Sequence, residues 1–355
     1  VLLFDAHLDL GLNAVDLNRD LRQSVDDLRV QELTAGMEGK PGRCRNTLSF
    51  PELRQSGVGV CLTTLLARLE RSVADDFGHT TAEACYAYAH AHLAYYRAMQ
   101  RGGWMRMLKT KCDLATHVDA FNRSPLTEPL GFILTMEGAD PVLTPETIEE
   151  FYDHGLRAIG LTHYGANRYG GGTRCENGLA LDAVELLKHI ERLGMTVDMT
   201  HLSDKSFWQV ADLFGGRVHA SHQNSRRISS WQRQFSDEQY QLVIERGGVI
   251  GIAFDVIMLE HGFAHLRSKP SVSIEAAVRN IDIVCQLAGN VDHVGIGTDL
   301  DGGYGAEQTP TDLDRYSDLP KRLLELLSSS GYSDADIAKI MHGNWLRFFN
   351  EVLPA

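Results

Sequence analysis

With 355 residues the chain is long enough to bury a large core, and 43% hydrophobic against 23% charged residues is the balance of an ordinary globular protein. A formal net charge of −13 opposes nucleic acid and anionic membrane as partners, and no apolar run is long enough to span a bilayer. The six cysteines (Cys44, Cys61, Cys85, Cys112, Cys175 and Cys285) show neither C-x-x-C spacing nor a compact disulfide framework, so they read as buried thiols. No linker divides the sequence, and residues 1–355 are expected to form a single domain. A cytoplasmic location is the default expectation, although a chain that opens directly on a strand is also compatible with a removed leader.

Short β-rich runs alternate with amphipathic stretches. Strands are expected at 2–6, 58–63, 131–136, 157–162, 195–200, 217–221, 248–253 and 293–298. Helices are expected from Ala82 to Gln100, Glu146 to His154, Leu179 to Leu193, Asp204 to Phe214, Asp237 to Arg246 and Ile274 to Ala288. This alternation predicts an α/β protein, a (β/α)8 TIM barrel. An open doubly wound sheet is disfavoured because no G-x-G-x-x-G turn follows the first strand.

In a barrel, catalytic groups belong at the C-terminal ends of the strands, where the loops share one mouth. Polar residues stand at that position in six strands. The first ends in His7 and Asp9, which share a side of the strand at spacing i, i+2. The third ends in Glu137, the fourth in Thr162-His163, the fifth in Asp198-Met199-Thr200-His201, the sixth in Ser221-His222 and the eighth in Thr298-Asp299. Histidines mixed with carboxylates favour zinc or a similar ion over magnesium or calcium. The expected ligands are His7, Asp9 and Glu137 for one ion and Glu137, His201 and His222 for a second, with Glu137 shared. Two such ions ~3.5–4 Å apart can hold a bridging hydroxide as nucleophile. Asp299 then remains as a free carboxylate to orient that nucleophile and pass its proton to a leaving amine. Asp301, two residues on, is its rival.

These segments resemble the renal or membrane dipeptidase family of zinc peptidases, within the amidohydrolase barrel superfamily. The likeness rests on Asp5-Ala6-His7-Leu8-Asp9, Met136-Glu137-Gly138, Leu161-Thr162-His163, Asp198 to Ser203, Ser221-His222 and Gly295 to Gly302, in order along nearly the whole chain. The resemblance implies a binuclear zinc enzyme that cleaves dipeptides, with His163 stabilising the developing oxyanion. It also implies that Arg233, rather than the nearer Arg226 or Arg227, binds the substrate carboxylate. A homodimer is a further implication. The chain departs from the family's pattern at Gly138-Ala139-Asp140, where Gly-Gly-His is common, at Gln234 in place of Asn, and at Phe254 on the seventh strand, where relatives present an Asn-Phe-Tyr type ending. The alternative substrate class is therefore another small amide, such as an N-acyl or D-amino acid derivative, a lactam or a cyclic imide. A metal-binding scaffold without catalysis is disfavoured by the spare carboxylate of Asp299.

Other conspicuous stretches have plainer expectations. Tyr169-Gly170-Gly171-Gly172-Thr173 lacks the lysine of a phosphate loop and reads as a flexible active-site loop. The helix from Tyr86 to Tyr96, with His90 and His92, reads as an outer barrel helix rather than a cofactor site. The run Asn344 to Phe349 is amphipathic and suits either the barrel base or a partner subunit. Loops 10–50 and 164–178 are expected to wall the pocket.

Overall fold

The computed structural model describes residues 2–70, 78–264 and 267–355. Its frame is a ring of parallel strands, β1 (Leu3–Leu8), β2 (Val58–Leu66), β3 (Leu130–Glu137), β4 (Leu156–Gly160), β5 (Thr196–Asp198), β6 (Val218–His219), β7 (Ile250–Ile252) and β8 (Val294–Ile296). Each pairs with its sequence neighbour, and β8 pairs back onto β1 with Asp5 opposite Ile296. The ring closes between β6 and β7 through a parallel bridge from Ala220 to Ile250. There the Ala220 N–H donates to the Val249 carbonyl (3.0 Å) and the Gly251 N–H to the Ala220 carbonyl (2.8 Å). The (β/α)8 barrel expected from the alternation of elements is the architecture found.

The strands are buried on both faces, which is why they read as continuous apolar runs rather than as alternating ones. Helices around the ring bury one stripe each. Leu181–Arg192 turns Ala183, Leu186, Leu187 and Ile190 inward, the i, i+3, i+4, i+7 spacing of an amphipathic helix. The base is sealed by the C-terminal helix Asn344–Val352, whose Trp345, Phe348 and Phe349 pack with Phe4, Val60 and Ile133. Trp345 Nε1–H donates to the Ile296 carbonyl at 3.1 Å. Of the two roles open to this run, closing the base is the one observed.

The structure corrects several boundaries. β5 to β8 are shorter than expected because their last residues leave the ladder to enter the mouth. The span 10–50 is not simply loop. It carries helix Val25–Thr34, capped by Ser24 accepting from the Asp27 N–H, and this helix escapes the periodicity test because it buries Glu32 while exposing Val30 and Leu33. Helices Lys111–Arg123 and Asp318–Ser329 were likewise not anticipated. All six cysteines are free thiols, but only Cys61 and Cys85 are buried, and Cys112 is exposed at the start of its helix. Among the described residues no helix is long and apolar enough to cross a membrane.

Candidate metal centre

The strand-end residues converge at the mouth. Glu137, the last residue of β3, stands between two sets of partners. One carboxylate oxygen lies 3.5 Å from His7 Nε2. The other lies 3.2 Å from His201 Nε2 and 3.4 Å from His222 Nε2, and those two nitrogens are 3.1 Å apart. Asp9 Oδ1 completes the first set at 3.8 Å from His7 Nε2. Around a tetrahedral ion with bonds of ~2.0–2.1 Å, neighbouring ligand atoms stand about 3.3 Å apart; the Glu137–His201–His222 triangle has that size, and the His7–Asp9–Glu137 set, all within 4.8 Å, is somewhat wider. Moreover, His7 Nε2 is buried, points at the carboxylates and makes no hydrogen bond. A buried nitrogen left without a partner is costly, and an ion between the two sets removes that cost. The residues present therefore fit the two ions implied by the sequence.

A layer of hydroxyl groups fixes the ligands. Ser221 Oγ stands 2.8 Å from His222 Nδ1 and 3.2 Å from His7 Nδ1, and Thr173 Oγ1 stands 2.9 Å from His201 Nδ1. When Nε2 offers its lone pair to an ion, each Nδ1–H donates to its hydroxyl oxygen, which sets both tautomer and ring plane. The Thr64 hydroxyl donates to Asp9. Behind β1, buried Asp5 accepts from the His7 N–H, the Thr298 N–H and hydroxyl, and the Tyr316 hydroxyl, tying the first ligand strand to the last strand. His201 (φ 66°) and Asp299 (φ 60°) both adopt left-handed backbone, unusual for residues with a side chain, and this turn aims them into the mouth.

Burial and charge act together on the titrating groups. Burial pulls the His7 imidazole down, but Glu137, Asp9 and Asp299 outweigh it and hold it up at about 10. Burial also works against Glu137, yet His7 and His163 keep its carboxyl well below the usual range. Asp9 is raised to about 6 by burial and by Glu137, and burial pushes Asp299 well above its ordinary value. His201 and His222 are lowered, chiefly by burial, and stay neutral. The carboxyl groups of Asp9, Glu137 and Asp299 are thus crowded around His7 in a largely dry site, and a divalent cation placed among them would favour their charged forms.

Three further groups were expected here. Asp299 places Oδ1 4.0 Å from His7 Nε2, beside both ligand sets. His163 has Nε2 3.7 Å from Glu137, and burial lowers it to about 4, so it presents a neutral ring. Arg233 is buried at the cavity wall, where it donates to Gln223 Oε1 and, at 2.9 Å, to the His222 carbonyl. Arg226 and Arg227 pair instead with Asp204 and Asp237 and do not line the cavity. Asp301, the rival of Asp299, is fully buried and accepts from the Thr47 N–H and hydroxyl and the Leu48 N–H, so it anchors a loop and does not face the mouth. The cavity holds about 170 Å³. That is below the ~300–1,000 Å³ of pockets for drug-sized ligands, and suits a small substrate.

Sequence reasoning missed some of this wall. Phe254 is buried in the core, and the residue that meets the cavity after β7 is Asp255, with Tyr164 and Arg68 also lining it. Asp255 was adjacent to the noted departure, so the signal was present. The glycine-rich stretch expected to be flexible is instead buried and bonded, with bridges from Tyr164 to Thr173 and from Gly172 to Leu202. It delivers Thr173 to His201. Asp140 is also buried, accepting from the Leu69 N–H and the Asn167 amide.

A closed parallel barrel whose mouth gathers two overlapping histidine–carboxylate triads defines a metal-dependent hydrolase of the α/β-barrel class. The sequence pattern of the membrane dipeptidase family, peptidase family M19, matches residues 1–354, and the chain belongs to this family of metallopeptidases. It is 30% identical over 213 residues, 58% of its length, to an uncharacterised protein in the pqqA 5′ region of Klebsiella pneumoniae, spanning 75% of that protein. It is 28% identical over 225 residues, 62% of its length, to dipeptidase verJ of Clonostachys rogersoniana, spanning 55% of it. The fold is similar to that of a metallo peptidase from Rhodobacter sphaeroides crystallised with a phosphinate mimic of the dipeptide L-Ala-D-Ala. The TM-score there is 0.78 at 22% identity, over 99% of both chains. It is equally similar to a crystallised M19 dipeptidase, dipeptidase AC, with a TM-score of 0.79 at 23% identity, over 100% of this chain and 99% of that one.

Proposed function

We propose that the chain hydrolyses the amide bond of free dipeptides using two zinc ions, held by His7, Asp9 and Glu137 and by Glu137, His201 and His222. The observation that carries this reading is the double triangle of ligand atoms about Glu137, with His7 Nε2 buried and unpartnered beside it. When bound, the ions supply an activated water near neutral pH and polarise the scissile carbonyl. The chain's own groups do the rest. Asp299 takes the proton released by the attacking water and delivers it to the departing amine. His163 donates an N–H to the oxygen that gains charge. Arg233, its guanidinium held by Gln223 and the His222 carbonyl, offers a two-point fork to the substrate's C-terminal carboxylate. Support comes from membership of a metallopeptidase family and from the dipeptide mimic bound by the Rhodobacter sphaeroides neighbour.

The test is hydrolysis of a panel of L-L and L-D dipeptides beside N-acyl amino acids and dipeptides blocked at the C-terminus, with zinc-reloaded and chelated protein. Zinc-dependent cleavage of free dipeptides is expected, with Arg233→Met losing that activity while keeping cleavage of the blocked set. Cleavage of acyl substrates alone would move the protein to the other amide class.

A further inference from the structure

A second group of metal-ligating side chains lies on the outer layer, away from the mouth. There, side chains of helix Ala82–Arg101 meet those of helix Thr147–His154. His90 Nε2 is 3.3 Å from Glu150 Oε1, His154 Nε2 is 3.7 Å from the same oxygen, and the three ligand atoms all lie within 4.8 Å of one another. None of these residues lines the mouth cavity.

The cluster is built, not a chance meeting of mobile ends. The Tyr86 hydroxyl donates to both oxygens of Glu150, at 2.9 and 3.0 Å, and fixes the carboxylate. The Phe151 ring stacks on His90 with centroids 5.2 Å apart and fixes the imidazole plane. Yet His90 Nε2, although buried, makes no hydrogen bond. A simple ion pair would direct an N–H along the line to the carboxylate; here the distance is short but the direction is not that of a donor.

We propose that His90, Glu150 and His154 bind one borderline divalent transition ion, of the zinc, cobalt or nickel kind. Two imidazoles and a carboxylate, with both imidazoles 3.3 and 3.7 Å from the carboxylate oxygen against a tetrahedral edge of ~3.3 Å, form the ligand set these ions take, and water completes the shell on the exposed side. The ion staples two outer helices whose ligands lie some sixty residues apart in sequence, and so stabilises the fold without entering the reaction.

The test is equilibrium dialysis of the full chain at a fixed micromolar free zinc concentration, with ions per chain counted by mass spectrometry. Wild type is compared with His90→Ala/His154→Ala and with Glu150→Gln. The expected result is one ion fewer in the variants, with hydrolysis of a model substrate retained. An equal count in wild type and variants overturns the proposal. Because the readout is a difference between chains with the same mouth, it stands whether or not the catalytic reading is right. Should the double variant fold poorly, His154→Gln at the exposed rim replaces it. The zinc-induced rise in Tm should then shrink relative to wild type, and an unchanged rise also overturns the proposal.

Discussion

One hydroxyl bridges the two candidate ligand sets. Ser221 Oγ sits between His222 Nδ1 and His7 Nδ1, and its own backbone N–H is held by Asp198 at 3.0 Å. Ser221→Ala removes the acceptor from both imidazoles and leaves the fold's apolar packing untouched. Zinc affinity at both positions should fall together by about 10–100-fold, the usual loss when an outer-layer partner of a metal ligand is removed. Competition with a chromophoric chelator measures it, and a loss confined to one ion would refute the shared role. At this scale the convergence of His7, Asp9, Glu137, His201 and His222, with Asp299 beside them, was legible, because each stands where a strand ends. Thr173 and Thr64 were not, since a threonine that orients a ligand looks in sequence like any other. Asp301 stood as the rival of Asp299 on spacing alone. Alternation placed it on the face of Asp299, but the left-handed backbone at Asp299 and Asp301 (both φ 60°) breaks the alternation.

Among the elements, the closing strands depend on the absence of side chains. A Cβ on Gly251 of β7 would lie 1.9 Å from the Ser221 carbonyl oxygen, and one on Gly297, just past β8, would lie 1.8 Å from it. Both strands thus approach the end of β6 as closely as backbone allows. Gly297→Ala must push that end aside, at a cost of about 1–3 kcal/mol and occasionally more for an overpacked site. Because Ser221-His222 is the segment displaced, Tm and zinc affinity should drop together; thermal melts with and without zinc check this, and an undisturbed affinity would show that the strain is relieved elsewhere. All eight strands were recognisable from composition, since buried parallel strands are rich in Val, Ile and Leu. Their ends were not, because the residues that leave the ladder do so for the sake of loop contacts far away in sequence. Helix Val25–Thr34 was missed where its charged Glu32 turned inward to meet Arg19 at 2.8 Å.

For the molecule as a whole, mouth and base carry different duties. Trp345 is fully buried against Phe4 and Phe349, with ring centroids 6.0 and 6.1 Å away. Trp345→Ala should cost about 3–5 kcal/mol, as aromatic truncations in a packed core do. The catalytic rate per folded molecule should remain, because the ligands sit at the opposite end of the strands. Urea unfolding read beside kcat separates the two, and a fall in kcat at unchanged stability would contradict this division. The barrel was legible in the order of its elements, whereas the task of the C-terminal run was not, since an apolar stripe does not say which surface it will cover.

The spread of the ligands along the chain carries a last consequence. His7 and Asp9 come early, Glu137 midway, and His201 and His222 later, while Thr298 must return to Asp5 before the first strand is fixed. No short fragment owns a complete site. During synthesis the chain therefore cannot assemble the ligand sets of the mouth until most of it has been wound into place, and contacts between such distant segments form slowly. Capture of an ion at the mouth is accordingly expected late in assembly, and an ion seated there would mark a chain whose barrel has closed.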